Sequence, residues 1–372
     1  MKLAMINTIN PSPGIGEGIT EYAYNLLIEL RKTGLRPDLI YSRYSGQLNE
    51  DRGAIINKLC KKMIFLYDSY NINKFINNAS DYDIVHILNQ EMGFASKRFK
   101  NKKTTKIVTT IHDLNLFETP KYLTFDAKFL RYTYYTLVKN SINDAVKLSD
   151  FIIFDSKLTR KKFVSRYGDK YNTAVVNLGI PNEFVSRKIH KEQNRKEFIV
   201  GYLGALEPKK NLMLILNSAK SLLDYKSIKF YIYGKGSLYK KYLEYSVINK
   251  LYNVRFMGFV ETSRILKVYD SFDVFIDPIT STGFELPILE AQARGLPVII
   301  DNNSEIPEEV NRYCLKAMDA GHMAQIIKDL KENGYNERQR IKAMEYARSF
   351  TWKRCAEETL GVYNRFTACL SF

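Results

Sequence analysis

Short apolar runs alternate along this chain with longer segments whose apolar positions recur at helical spacing. Residues 2–7 read as a first buried strand. Residues 10–18 form a loop, and 19–34 a helix with Ile19, Ala23, Leu26, Leu27 and Leu30 on one face, ended by Gly34. Residues 39–41, 83–87, 106–111, 151–154 and 174–176 read as further strands. Residues 126–149 read as a helix dense in Tyr and Phe, and Asp155-Ser156-Lys157 opens another. Residues 179–182 turn out of the last strand. The polar run 186–196 has no core-forming pattern and reads as a linker. The alternation then resumes, with strands at 197–204, 228–234 and 254–260 and helices at 212–223 and around 265–269. Residues 274–276 and 298–300 are buried-strand runs flanking a short helix. Pro287 fits the first turn of that helix and Gly295 its end. The C-terminal stretch 336–366 reads as one or two helices broken near 350–352. Strands alternating with helices twice over predict an α/β protein with two doubly wound parallel sheets.

The length of 372 residues suits two such domains, and a hydrophobic share of 45% can pack both. The expected division is 1–186, 187–349 and a terminal piece 350–372. No apolar run is long enough to span a bilayer, and the N-terminal residues carry no apolar signal core. The four cysteines, Cys60, Cys314, Cys355 and Cys369, have neither metal-ligand nor disulfide-framework spacing. A cytoplasmic location is expected.

The net charge is +16. Residues 1–186 carry 27 Lys/Arg against 18 Asp/Glu, and 187–372 carry 29 against 22, so the excess is spread and is not a basic tail. It favours anionic partners such as nucleotide diphosphates or anionic lipid. The spread, and the lack of a recognisable nucleic-acid module, argue against nucleic acid. The cluster Lys97, Arg98, Lys100, Lys102, Lys103 and Lys106, with the aromatic helix 126–149, suggests an anionic membrane surface as a further, peripheral partner.

The candidate chemistry sits where strands end. Lys210 follows the strand that ends at Gly204, where an ammonium can meet a diphosphate and a glycine lets backbone approach. The helix starting near Pro287 offers free N–H groups and a partial positive charge to phosphate. Glu290, a turn further in, can accept hydrogen bonds from paired hydroxyls such as those of a ribose. His112-Asp113 closes the strand 106–111, and a histidine there can donate to or accept from a sugar hydroxyl. Gly14, Gly16 and Gly18 are spaced GxGxG, not GxGxxG, and no acidic residue follows at the dinucleotide distance, which argues against nicotinamide. There is no HxH, HExxH or paired-aspartate motif at a strand end, so no required metal is expected.

Several of these residues carry a resemblance. Gly283, Phe284, Leu286, Pro287, Glu290 and Ala291 resemble the donor-site signature of the retaining family 4 glycosyltransferases, which have the GT-B fold. Gly204, Leu206, Glu207, Pro208, Lys210 and Asn211 resemble that family's phosphate loop. His112-Asp113 and Phe350-Thr351-Trp352 match further motifs in the family's order. Thr282 stands where the family has its sugar-contacting glutamate, Glu285 where it has a glycine, and Ala205 where it has a second phosphate-binding cation. Lys209 is the nearest candidate to replace that cation.

The resemblance implies two Rossmann-like domains facing a cleft, with the last helix returning to the first domain. It implies transfer of a sugar from a nucleoside diphosphate sugar to a glycan, lipid-linked or protein acceptor, with no cofactor beyond that donor substrate. His112, Lys210 and Glu290 would be catalytic. Gly16, Gly204, Lys209, Thr282, Gly283, Phe284, Glu285 and Leu286 would meet the donor, and Gly14, Gly18 and Asp113 would lie on the acceptor side. Two alternatives stay open. One is another GT-B enzyme, such as a nucleotide-sugar epimerase or a phosphorylase. The other is a non-catalytic nucleotide-sugar-binding protein, which the changes at Thr282 and Ala205 would suit.

Overall fold

The structure is a computed structural model that describes residues 1–7, 18–41, 82–100, 104–114, 117, 128–187 and 196–367. The chain divides into two compact units, Met1–Leu178 with Trp352–Phe372, and Gly179–Thr351.

In the first unit the elements are β1 (Leu3–Ile6), α1 (Gly18–Lys32), β2 (Asp38–Ile40), β3 (Ile84–Ile87), β4 (Lys106–Ile111), α2 (Lys128–Leu148), β5 (Phe151–Phe154), α3 (Lys157–Tyr167) and β6 (Thr173–Val175). A 3₁₀ segment, Gln90–Arg98, follows β3 and had no clear apolar period to announce it. The sheet order is β2-β1-β3-β4-β5-β6, and every neighbouring pair is parallel. Strands β1, β3 and β5 are buried at every position, which explains their continuous apolar sequence. Val138, Ile142 and Val146 of α2 and Phe163 of α3 pack with Ile87, Ile111, Ile152 and Phe154. Ser156 caps α3 by accepting the Thr159 N–H at 3.1 Å. Lys97 and Lys106 of the basic cluster are paired with Asp144 and Asp150, at 2.7 and 3.0 Å. Lys102 and Lys103 lie outside the described residues.

The second unit contains α4 (Asn182–Ser186), β7 (Phe198–Leu203), α5 (Leu212–Ser221), β8 (Ile228–Tyr233), α6 (Tyr239–Ile248), β9 (Val254–Gly258), α7 (Thr262–Asp270), β10 (Val274–Ile276), α8 (Leu286–Ala293), β11 (Val298–Asp301), α9 (Glu308–Asn311), β12 (Leu315–Ala317), α10 (Ala320–Asn333) and α11 (Glu337–Arg348). Its sheet is parallel throughout, in the order β12-β11-β10-β7-β8-β9. The chain runs outward from β7 through β8 to β9, then returns through α7 to lay β10 on the other edge of β7. Strand order therefore reverses between β7 and β10. In an open parallel sheet, the space beyond the carboxyl ends of such a pair collects ligands.

Residues 179–186, placed by sequence at the end of the first domain, pack in the second unit. Phe184 meets Tyr269 edge-on at 5.5 Å, and the Ile180 N–H donates to the Phe350 carbonyl at 3.0 Å. The linker itself is outside the described residues over 188–195. After α11 the chain breaks at 349–351, and α12 (Trp352–Thr367) joins the first unit, packing on α1. Trp352 is buried with its ring 6.3 Å from that of Tyr22. Among the described residues no helix is long and apolar enough to cross a membrane.

Candidate active site

The loop after β7 is shaped by backbone crowding. A Cβ on Gly234, at the end of β8, would stand 1.8 Å from the Gly204 carbonyl oxygen, and Gly234 has φ of 139°. Only glycine tolerates both conditions. Glu207 ties the same two loops together, accepting the Ser237 N–H at 2.8 Å and hydroxyl at 2.6 Å. Pro208–Lys210 then makes one 3₁₀ turn, and Asn211 in the left-handed region starts α5. This turn sends Lys210 inward, where it is 8% exposed, and leaves Lys209 outside.

The second loop follows β10. Its start is tied down by backbone bonds, from Thr280 N–H to the Lys209 carbonyl at 2.9 Å and from Thr282 N–H to the Glu305 carbonyl at 3.2 Å. Gly283 is buried, and Phe284 packs its ring 6.0 Å from Phe350. Glu285 is the N-cap residue of α8, followed by Leu286 and then Pro287 in the first turn. Glu290, one turn in, accepts the Tyr269 hydroxyl at 2.8 Å. Behind α8, the fully buried Arg294 grips both oxygens of Asp270 at 2.7 and 2.8 Å and donates to the Arg187 carbonyl at 2.7 Å. That pairing anchors the helix and is structural.

The two loops bring Lys210 into the middle of a buried acidic pair. Its ammonium is hydrogen-bonded to Glu285 Oε1 and lies 3.7 Å from Asp277 Oδ2, an oxygen with no hydrogen bond of its own. All three side chains are nine-tenths buried or more. Burial works against the charged lysine, but Asp277 and Glu285 outweigh it and raise the Lys210 pKa. Burial likewise opposes ionisation of Glu285, yet Lys210 holds that carboxyl below its ordinary range. Burial pushes Asp277 up to about 7, with Lys210 pulling down and Glu285 pushing up. One ammonium thus serves two carboxylates, and Glu285 holds it more closely.

In the first unit His112 stands at the carboxyl end of β4. Its Nε2 faces the Leu88 carbonyl at 3.0 Å and its Nδ1 faces Asp155 Oδ2 at 3.5 Å. Tyr22 meets the ring edge-on at 4.8 Å. The Gln90 side chain brackets the motif, accepting the His112 N–H at 3.1 Å and donating to the Asp113 carbonyl at 3.3 Å. To reach a ligand, the imidazole has to give up one of its two internal partners. Gly18 begins α1, while Gly14 and Gly16 lie outside the described residues.

Lys210, Glu285 and Thr282 are therefore brought together, with Lys209, Gly204 and Gly283 on the adjoining loops. His112 and Asp113 form a separate group in the other unit. Sequence reasoning missed Asp277 and Asp155. Each is an acid directly after an apolar strand, and for Asp277 that strand borders the switch point.

Comparison with known proteins settles the family. The model described as Glycosyltransferase Family 4 matches residues 16–184, and that described as glycosyl transferases group 1 matches residues 197–333. The chain belongs to glycosyltransferase family 4. This glycosyltransferase is 24% identical to O-antigen chain mannosyltransferase B of Escherichia coli over 277 residues, 69% of this chain and 70% of that protein. Its fold is that of sucrose-phosphate synthase from Thermosynechococcus elongatus, at a TM-score of 0.77 and 17% identity over 99% of both chains. HepE from Anabaena, solved in complex with UDP and glucose, matches at 0.66 and 14% identity over 98% of this chain and 99% of that one. The fold is therefore GT-B, two parallel six-stranded sheets flanked by helices.

Proposed function

We propose that this glycosyltransferase takes a hexose from a nucleoside diphosphate sugar and passes it, with retention of configuration, to a glycan, lipid-linked or protein acceptor. The observation that carries the reading is the cation Lys210 at the β7/β10 switch point, beside the first turn of α8. An ammonium and a helix N-terminus suit the charge that grows on a departing diphosphate. Glu290, one turn further along α8, would hold the ribose hydroxyls. Thr282 would border the donor's sugar end, and His112 remains the candidate for sugar chemistry within the first unit. Among the described residues of the second unit, the acids at the site, Asp277, Glu285 and Glu290, face Lys210 or Tyr269, which favours attack and departure on one face of the sugar. Lysine and helix terminus do the work that metal-bound aspartates do elsewhere, so a metal is not required. The acceptor would enter beside Gly18 at the start of α1; Gly14 and Gly16 lie outside the described residues. Contact with an anionic membrane surface fits a lipid-linked acceptor and the net charge of +16.

The test is transfer from a panel of labelled nucleotide sugars to lipid-linked and soluble acceptors, with the anomer of the product read by NMR. We expect one donor to be used, retention in the product, and equal rates with and without EDTA. An inverted product, or loss of activity in EDTA restored by Mn²⁺, would refute the mechanism. Release of an epimerised nucleotide sugar without acceptor would refute the transfer.

A further inference from the structure

Glu285 makes the contact with Lys210 that a donor phosphate would need to make. Its carboxylate is hydrogen-bonded to Lys210; its backbone stands at the N-cap position of α8, but the side chain makes no capping bond there. It is 7% exposed, and the Thr282 hydroxyl beside it further favours its ionised form. Asp277 lies 3.7 Å from the same ammonium, within the same buried space and close to Glu285. Lys210 is thus fully compensated before any ligand arrives.

We propose that Glu285 is an internal counter-ion that sets donor affinity and selectivity, because a diphosphate has to displace it from Lys210 to bind. This rests on the reading of Lys210 as the phosphate cation. A dianionic phosphate can compete where a neutral sugar or nucleoside cannot, since only an anion offers the ammonium a replacement charge. Lys209, exposed beside the loop, is placed to steer the incoming anion but not to replace the buried cation. The pair Lys210–Glu285 would therefore lower affinity for every nucleoside diphosphate. Donors that recover the loss through base and sugar contacts would be selected.

The experiment is calorimetric titration of the whole protein with UDP, GDP and ADP. Wild type is compared with Glu285→Gln, Glu285→Gly, and each of these combined with Lys210→Met. We expect both Glu285 variants to bind the preferred diphosphate at least about tenfold tighter than wild type, a change of about 1.4 kcal/mol. The gain should vanish when Lys210 is also replaced. Thermal unfolding of each variant separates this from a loss of folding, because a poorly folded variant cannot bind more tightly. Unchanged or weaker binding in Glu285→Gln, or a gain that persists without Lys210, would overturn the proposal while leaving the donor site standing. If neither wild type nor variants bind any diphosphate, the donor reading itself fails, and the counter-ion role falls with it.

Discussion

His86 shows what a single buried residue can fix. It lies in the middle of β3, with Nδ1 at 2.6 Å from the Tyr363 hydroxyl and Nε2 at 2.8 Å from the Thr110 hydroxyl. Hydroxyls can donate to one ring nitrogen and accept from the other, so the neutral ring is satisfied. Burial, with His112 nearby adding to it, lowers the pKa to about 3. An unfolded histidine titrates near ~6.5. The folded value lies below the unfolded one, so the contribution to stability is complete above ~6.5 and is lost as pH falls toward the folded value. Only the unfolded chain takes up the proton over that range. From about pH 8 to about pH 5 the loss from this residue should be about 2 kcal/mol. Chemical unfolding of wild type and His86→Gln across that range checks it, and equal pH slopes in the two would contradict it. At the same scale, Lys210 could be picked out from sequence because a lysine after a strand-ending glycine has a plain use. The partnership with Asp277 could not, since 67 residues separate the two positions.

At the scale of elements, the second unit's site depends on two loops held together by close backbone packing. Gly234 against the Gly204 carbonyl is the tightest approach among them. Gly234→Ala should cost more than about 1 kcal/mol, from the clash and from the positive φ together. It should also weaken nucleotide binding, because the phosphate loop would have to move. Gly168→Ala is the control, with φ of 82° but nothing within 4 Å of its added Cβ. It should lose stability without losing nucleotide affinity, as measured by unfolding and titration side by side. The short helix α8 was legible from Pro287 and Gly295. The 3₁₀ segment after β3 was not, because its fold depends on α2, whose Ser141 hydroxyl donates to the Glu91 carbonyl at 2.6 Å and accepts the Phe94 N–H at 3.0 Å.

At the scale of the molecule, the chain builds the second unit and then returns α12 to the first. Trp352 against Tyr22, and Tyr363 hydrogen-bonded to His86, hold it there. Ending the chain before Trp352 should strip both contacts and leave His86 Nδ1 buried without a partner, a loss of about 1–3 kcal/mol for that nitrogen alone. Hydrogen exchange should then rise in β1, β3 and β4 while β7, β8 and β10 keep their protection. Equal loss in both sheets would show that α12 supports the whole chain and not one unit.

The class of fold was legible in the order of residues alone, because buried parallel strands must be apolar throughout and the helices between them must show a helical period. That order also set the positions of Lys210, His112 and Glu290 relative to strand and helix ends, since loop chemistry follows chain order. Thr282, Glu285 and Ala205 were visible as departures, but their consequence was not. Folding alone revealed that Glu285 turns inward onto Lys210, that Asp277 shares the same ammonium, and that both nitrogens of His112 face acceptors in the first unit. The physical reason is that a charge buried in a protein is governed by what lies within a few ångströms of it. Those neighbours come from separate loops, brought together where the strand order of the sheet reverses.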